Sequence, residues 1–534
     1  MSEEASLEPS AVTSGASAAT AARAALAGPL RRARRLLPAA GALLAGAAYA
    51  LACPPWEVAA LAWIAPGLLL VAARRVRPRA AFGCGLLFAL AMGMGVTGWA
   101  YATTRAYFGL GPIAAAAFVA VVWLAFGGVQ YGLLAAAYSA LAPRVPAALR
   151  PLVGAWLWVV AEMLRARLFT GMPWELLGHT QYARLALVQI ADLGGVYAVS
   201  FVVALASAAL AEAIAARERR PRALALRLGP AVALLLATVA YGERALAAQR
   251  AASSSAPAFR VAVVQANVPS RIGWQRIHVE RALAQYAELS SDLGAVRPDL
   301  VVWPEYAAAL YLDREPLARM RLARVAARAS GGLLLGAPRL AAAGEARNSA
   351  VLLDGDGAIA GVYDKRRLVP LAEVDPFAHR RGDGPVFTAG EGPQLLSAAG
   401  ARIGAVICYE ALFPHLVREL VLAGADVLVN LTNESWLDAG DGAAPSQQFS
   451  MAIFRAIETR RSLARAASTG VSGFVSPAGD VLRVVPAGTA GVAVADLPIG
   501  RGLTPYVRWG ETWVAAAGVL LAGAVAAGRR CSAR

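Results

Sequence analysis

Eight apolar runs set the terms for this chain: residues 37–53, 57–73, 80–102, 113–141, 149–164, 194–215, 225–245 and 511–528. Each approaches the ~20 residues that an α-helix needs to cross a hydrocarbon core. Backbone groups in hydrocarbon have no water to bind, so such runs fold as helices. The expectation is a polytopic α-helical membrane domain of about eight transmembrane helices. The first, second and fifth runs are short, which leaves their ends open. Composition agrees: 58% of residues are hydrophobic and 16% charged, against ~25% charged in soluble domains.

Arginine gives an orientation. It is dense in the N-terminal tail (Arg23, Arg31, Arg32, Arg34, Arg35), after the second run (Arg74, Arg75, Arg77, Arg79), after the fourth (Arg144, Arg150), after the sixth (Arg217, Arg219, Arg220, Arg222, Arg227) and at the C-terminus. The alternate connections are poor in it. Positive charge stays on the cytoplasmic side, so both termini are expected in the cytoplasm and the block after the seventh run outside it. The same pattern accounts for the net charge of +16 without nucleic acid as a partner. Arg31–Arg35 before an apolar run resembles a signal peptide, but no cleavage site follows, and the run reads as an uncleaved first helix.

Residues 1–36 read as a cytoplasmic tail, mostly disordered, and 37–245 as the membrane domain. Residues 246–258, containing A-A-S-S-S-A-P-A, read as a linker. A different texture follows. Strands are expected at 259–268, 299–305, 331–337, 349–354, 358–364, 401–408 and 426–432, with helices at 275–292 and 447–467. This is an α/β domain, layered αββα, over 259–500. Residues 501–528 then form a return segment and the eighth helix, and 529–534 a cytoplasmic tail.

Three strand ends carry chemistry. Glu305 closes V-V-W-P-E, Lys365 closes G-V-Y-D-K, and Cys408 closes I-G-A-V-I-C. Sites in α/β domains lie beyond the carboxyl ends of strands. A thiol can attack, a carboxylate can take its proton and an ammonium can hold the oxyanion. Each residue also has a plainer reading, as packing, a cap or a solvated charge. Lysine and arginine total 51, and Lys365 is the one lysine among them. A chain that writes arginine at every other such position has a reason to keep it. Cys408 is the one cysteine of the extracytoplasmic block, since Cys53, Cys84 and Cys531 lie in or beside apolar runs. It therefore has no disulfide partner there. No CxxC pair or Cys/His cluster suggests a metal, and no cofactor motif is evident.

In this order W-P-E, Y-D-K-R-R-L-V-P and C-Y-E-A-L-F-P resemble the Glu-Lys-Cys motifs of the nitrilase superfamily. With the hydrophobic flanks, and with M-P-W-E-L-L-G-H-T-Q (172–181), Q-I-A-D-L-G-G-V-Y-A-V-S-F (189–201) and G-L-T-P-Y-V-R-W-G (502–510), the chain resembles its integral membrane branch, the apolipoprotein N-acyltransferases. The resemblance runs from about residue 40 to 528. It implies a nitrilase-like αββα sandwich, periplasmic, on an inner-membrane anchor. It implies Cys408 as nucleophile, Glu305 as proton acceptor and Lys365 as oxyanion stabiliser. Glu373 matches a second glutamate, and Trp274, Tyr409 and Glu410 match supporting positions that local packing would explain equally well. The sequence departs from the family at P-L-A-E (370–373), W-L-D (436–438) and A-P-S-Q-Q (444–448), which bears on loop geometry and acyl-donor preference.

The implied reaction moves the sn-1 acyl chain of a phospholipid, through a cysteine thioester, to the α-amino group of a diacylglyceryl-cysteine on an apolipoprotein. Expected partners are the phospholipid donor, the diacylated apolipoprotein and membrane lipid, with the protein itself a monomer. The apolar stretch 308–312 is expected to face the bilayer as a lid. Two rivals are a membrane-tethered amidase acting on a small amide, and a non-catalytic lipoprotein-binding or transport scaffold.

Overall fold

A computed structural model describes the chain except residues 1–35, 217–219, 270–275, 342–343, 371, 375–386, 438–441 and 533–534. The expected disordered tail lies outside the described residues up to residue 35, and so does Trp274.

The N-terminal half is helical: α1 (Leu36–Ala52), α2 (Ala65–Arg74), α3 (Pro78–Val96), α4 (Trp99–Tyr107), α5 (Pro112–Trp123), α6 (Val129–Leu141), α7 (Arg150–Arg167), α8 (Val196–Ala215) and α9 (Pro221–Ser255). A π-turn at Leu124–Gly128 joins α5 to α6. Among the described residues, four helical stretches are long and apolar enough to cross a membrane: Pro78–Val96, Pro112–Arg144, Val196–Ala215 and Pro221–Ser255. Leu36–Ala52, Ala59–Arg74 and the C-terminal Thr512–Ala527 are shorter apolar helices at other expected runs. The fifth run forms α7, which buries Glu162 and Arg165. Small residues let these helices approach closely. A Cβ on Gly85 would meet the backbone of Tyr131 and Gly132 on α6, and one on Gly67 would meet Ser207 on α8.

The stretch expected as a linker, 246–258, is helical through Ser255. Its alanines favour helix, and α9 stops only where Pro257 interrupts the pattern. Strand β1 then starts at Ala258.

The C-terminal half is a sandwich of two six-stranded sheets. The first has the order β12-β1-β2-β3-β4-β5 and the second β11-β10-β9-β8-β7-β6. These strands are β1 (Ala258–Gln265), β2 (Leu300–Val302), β3 (Leu333–Leu340), β4 (Ala346–Leu353), β5 (Ile359–Asp364), β6 (Leu396–Ala398), β7 (Ala401–Ile407), β8 (Val427–Thr432), β9 (Leu463–Ala467), β10 (Ser472–Val475), β11 (Val481–Val485) and β12 (Gly491–Pro498). Parallel pairs form the middle of each sheet: β1 with β2 and β2 with β3, then β7 with β8 and β8 with β9.

Both faces of these strands are covered, so they read as near-continuous apolar runs. Alternation still decides which core each residue enters. Phe259, Val261 and Val263 enter the central core, while Ala262 and Val264 enter an outer one with Tyr286, Leu322 and Val325. Helices α10 (Arg276–Leu289) and α11 (Pro316–Ala326) cover the first sheet. Helices α12 (Pro414–Leu422) and α13 (Ala443–Thr459) cover the second. The layering is therefore αββα, as expected. The last helix, α14, is Thr512–Ser532.

One expected helix is corrected. The stretch 447–467 ends as a helix at Thr459, and 463–467 is strand β9. Its L-A-R-A-A composition favours helix. Arg460 adopts φ +52° and ends α13, and pairing with β8 and β10 on either side then overrides the local preference.

The two halves interlock through α13. Gln447 Oε1 accepts from Trp99 Nε1 at 3.2 Å and Trp174 Nε1 at 2.7 Å, and its Nε2 donates to the Pro54 and Val96 carbonyls at 2.8 and 2.7 Å. Every donor and acceptor of that buried amide is used. Asp192 pairs with Arg460 at 2.6 Å, and Arg250 on α9 pairs with Asp480 at 2.5 Å.

Candidate active site

Glu305, Lys365 and Cys408 come together between the two sheets. Each follows a strand end: Glu305 lies just beyond β2, Lys365 follows β5 and Cys408 follows β7. All three are buried.

Cys408 is held at φ +50°, a left-handed conformation uncommon for a residue with a side chain. It opens the short turn Cys408–Leu412. Such strain persists where surroundings over-determine it, and here Glu410 does so. Its carboxylate is fully buried and accepts from Ile407 N at 2.7 Å, Arg366 N at 2.7 Å, Arg367 N at 3.1 Å and Tyr363 Oη at 2.9 Å. Glu410 thus fastens the turn bearing the thiol to the segment bearing Lys365. Tyr409 points the other way. Its hydroxyl donates to the Gly171 carbonyl at 2.7 Å, joining the turn to the loop after α7.

Lys365 Nζ lies 2.9 Å from Glu305 Oε1 and 2.9 Å from Glu373 Oε1. Burial opposes its charge, but the two carboxylates outweigh burial and raise its pKa well above the ordinary lysine range. An ammonium has three donors; two serve the glutamates and one is left for a ligand. Glu305 Oε2 accepts from Asn433 N at 2.9 Å, and the Asn433 carbonyl lies 4.0 Å from Cys408 Sγ. One peptide residue therefore touches both the carboxylate and the thiol. Burial pushes the Cys408 thiol up to about 12, with Glu305 adding to the shift and Lys365 opposing it. At neutral pH the sulfur keeps its proton until a base removes it. Burial also raises Glu305; Lys365 opposes this and Glu373 adds to it. A raised carboxylate is a better proton acceptor. The arrangement can run nucleophilic acyl transfer: a thiol, a base and a cation at a buried site.

Of the residues expected from the sequence, Glu373 joins this cluster, and Tyr409 and Glu410 support it from the turn. Asn348 was not anticipated. It sits inside β4, fully buried, within hydrogen-bonding distance of both glutamates. Only a polar residue in an apolar strand could have marked it. Tyr306, at φ +57°, was missed too; its hydroxyl donates to Glu373 at 3.0 Å. In the stretch 308–312 expected as a lid, Ala308 and Leu312 are buried in the outer core with Trp303 and Leu322, and Ala309, Leu310 and Tyr311 are half-buried. Of the departures from the family pattern, Gln447 and Gln448 are buried in α13, and Gln448 accepts from Arg465 at 3.2 Å.

Gly336 on β3 packs against the backbone of Pro304, Glu305 and Tyr306, where a Cβ has no room. Gly336→Ala is expected to push Glu305 off its partners. We expect a stability loss of about 1–3 kcal/mol, the usual cost of overpacking, and slower acylation of Cys408. Thermal unfolding in detergent and the rate of adduct formation check this; parent values in both would show that β3 has slack.

Residues 45–209 match the family described as the apolipoprotein N-acyltransferase N-terminal domain, and residues 260–502 match carbon-nitrogen hydrolase. The chain is 36% identical to an apolipoprotein N-acyltransferase of Geobacter metallireducens, over 92% of this chain and 95% of that one. It is 33% identical to one of Azotobacter vinelandii, over 90% and 93%, and 31% identical to one of Pseudomonas putida, over 91% and 96%. Among solved structures, an amidase from Nesterenkonia sp. is similar over 45% of this chain and 90% of its own, at 22% identity and a TM-score of 0.36.

Proposed function

The chain belongs to the apolipoprotein N-acyltransferase family, and from that premise we propose how this membrane acyltransferase carries out lipoprotein N-acylation with its own residues. Glu305 takes the Cys408 proton as sulfur attacks the sn-1 ester carbonyl of a phospholipid. The Lys365 ammonium holds the oxyanion. The ester C–O bond breaks, the proton passes from Glu305 to the departing alkoxide, and a lysophospholipid leaves a thioester on Cys408. The α-amino group of a diacylglyceryl-cysteine then attacks. Glu305 takes a proton from nitrogen, the C–S bond breaks, and the thiolate is reprotonated. One base serving both halves follows from reversibility of the same transfer.

We read the four long apolar helices, with the shorter ones and α7, as parts of an inner-membrane anchor of about eight spans, both termini cytoplasmic and the sandwich periplasmic. Both substrates are lipids, which favours a site fixed beside the bilayer. The observation that carries the reading is the shared burial of thiol, carboxylate and the chain's one lysine. Its test is to incubate purified protein with phospholipid and a diacylated lipopeptide and weigh the products. Lysophospholipid, N-acylated lipopeptide and an acyl adduct on Cys408 are expected. Ammonia and acid released from a small amide would favour the amidase, and no product the scaffold.

Lys365→Arg tests the oxyanion assignment. The Lys365 side chain is 1% exposed and in contact with two carboxylates. A guanidinium is longer, planar and a fork of donors, and it does not fit where an ammonium donates to two carboxylates and keeps its third N–H for the oxyanion. Net charge is unchanged. We expect insertion as in the parent and a loss of about 10²–10³ in acyl transfer, the scale of one lost oxyanion donor. Activity within about threefold of the parent would mean that a cation of either shape suffices and the assignment fails.

A further inference from the structure

We propose that Asn348 is a positioning residue that keeps Glu305 able to take the thiol proton despite Glu373 beside it, by holding one oxygen of each carboxylate with a single amide. Its Nδ2 donates to Glu305 Oε1 and to Glu373 Oε1, at 2.7 Å in each case. A side-chain amide has two N–H donors, and both are used. The orientation follows from the partners, since the amide oxygen would be repelled by either carboxylate. Lys365 Nζ makes the same pair of contacts at 2.9 Å each. The two glutamates therefore face each other across two bridging donors.

Two carboxylates this close ordinarily share a proton, and the one that holds it cannot act as a base. Asn348 offers both oxygens a donor and neither an acceptor, which leaves no room for a proton shared between them. It brings no charge. A second cation in its place would depress the basicity that Glu305 needs. The main chain of Asn348 also anchors the segment that carries the cation, because its carbonyl accepts from the backbone N–H of Lys365 at 2.8 Å.

The remaining contacts break the symmetry. Glu373 also accepts from Tyr306 Oη at 3.0 Å and Val369 N at 2.8 Å. That makes four donors, about the capacity of one carboxylate. Glu305 has one donor beyond the bridging pair, Asn433 N on Oε2. An acceptor position is left on that oxygen, beside the residue whose carbonyl faces Cys408. The proton enters there. The charged and titratable groups around the pair are Lys365 after β5, Tyr306 beyond β2 and Cys408 after β7. Tyr107 lies near Glu373 from α4, and Glu434 acts on Cys408 from beyond β8.

This rests on Glu305 being the base. The test is single-turnover acylation of Cys408 in the full-length protein, with phosphatidylethanolamine in detergent micelles, read by mass between about pH 5 and 9, around the carboxylate range. Asn348→Asp keeps the shape but places a third carboxylate against the first two. The acid limb of the profile is expected to move up by about one pH unit or more, with roughly tenfold or greater loss near neutrality and recovery as pH rises. An unmoved limb, whether activity is retained or lost equally at every pH, would show that Asn348 only packs and would overturn the proposal. If that variant does not fold, Asn348→Ser retains one donor for two acceptors. A smaller shift in the same direction is expected, and an unmoved limb again overturns the proposal. Glu305→Gln run alongside separates the two claims. If the acid limb survives in Glu305→Gln, the base is misassigned. If it disappears there yet stays unmoved in the Asn348 variant, only the role of Asn348 falls.

Discussion

Cys408→Ala is expected to abolish the acyl-enzyme and all turnover. The sulfur is the atom to which the acyl group is bonded, so no residual route survives its removal. The substitution is mild for the fold. Alanine is smaller and apolar, and the φ of +50° is already occupied by a side-chain-bearing residue. Glu410 secures the turn through Ile407 N and Tyr363 Oη without using the thiol. A stable, inserted and inactive protein is therefore the predicted outcome. Mass spectrometry of the protein after incubation with phospholipid reads it directly, by loss of the mass increment of one acyl chain. The companion variant replaces Cys53, Cys84 and Cys531 with alanine together. Cys53 and Cys84 are buried in the helical half, away from the triad, and activity should be largely retained. Acyl transfer by Cys408→Ala would remove the thioester from the mechanism.

How much of this could be read from the sequence depended on whether the signal was local. Lys365 was legible because the chain is otherwise free of lysine, so composition isolated it. Cys408 was legible as the one thiol of the strand-rich block 259–500. Glu305 showed itself by closing a short apolar strand, and Pro304 before it explains why that strand stops at Val302. Glu373 needed the family pattern, since nothing in A-E-V marks it as a partner of Lys365. Asn348 gave no sign, because its role is defined by carboxylates 43 and 25 residues away. The missed strands fail for the same reason. β12 pairs with β1 from Ala258↔Pro498 to Gln265↔Gly491, a contact across almost the whole domain. β9 has helix-forming residues and becomes a strand only between β8 and β10. Span lengths were partly legible. Apolar content located the helices, but α7 is the case where composition understates structure: it buries Glu162 against Trp158 Nε1 and Leu177 N at 3.0 and 2.7 Å.

Glu305→Gln is expected to slow acylation by about 10²–10⁴, the range for loss of a general base. The amide keeps the shape and still accepts one of the donors at Oε1, so the pocket stays assembled. What disappears is the proton acceptor. The size of the loss is set by two opposing effects. With Glu305 ionised, its charge helps hold the thiol up at about 12, so removing that charge moves the Cys408 pKa down and raises the thiolate fraction. Lys365 then faces one carboxylate, Glu373, instead of two, and its charge favours the thiolate further. Thiolate formed by direct ionisation is therefore more available in the variant than in the parent, and this limits the damage. It also changes the pH dependence. In the parent, acylation rises with pH until Glu305 is ionised and then levels. In Glu305→Gln no carboxylate limb remains, and the rate should climb about tenfold per pH unit below the thiol pKa, since each unit multiplies the thiolate fraction by ten. Single-turnover acylation across pH separates the possibilities. A slow, steadily rising profile assigns the base to Glu305. A profile with the parent's plateau at reduced height would mean that Glu305 holds Lys365 in place and that another group takes the proton.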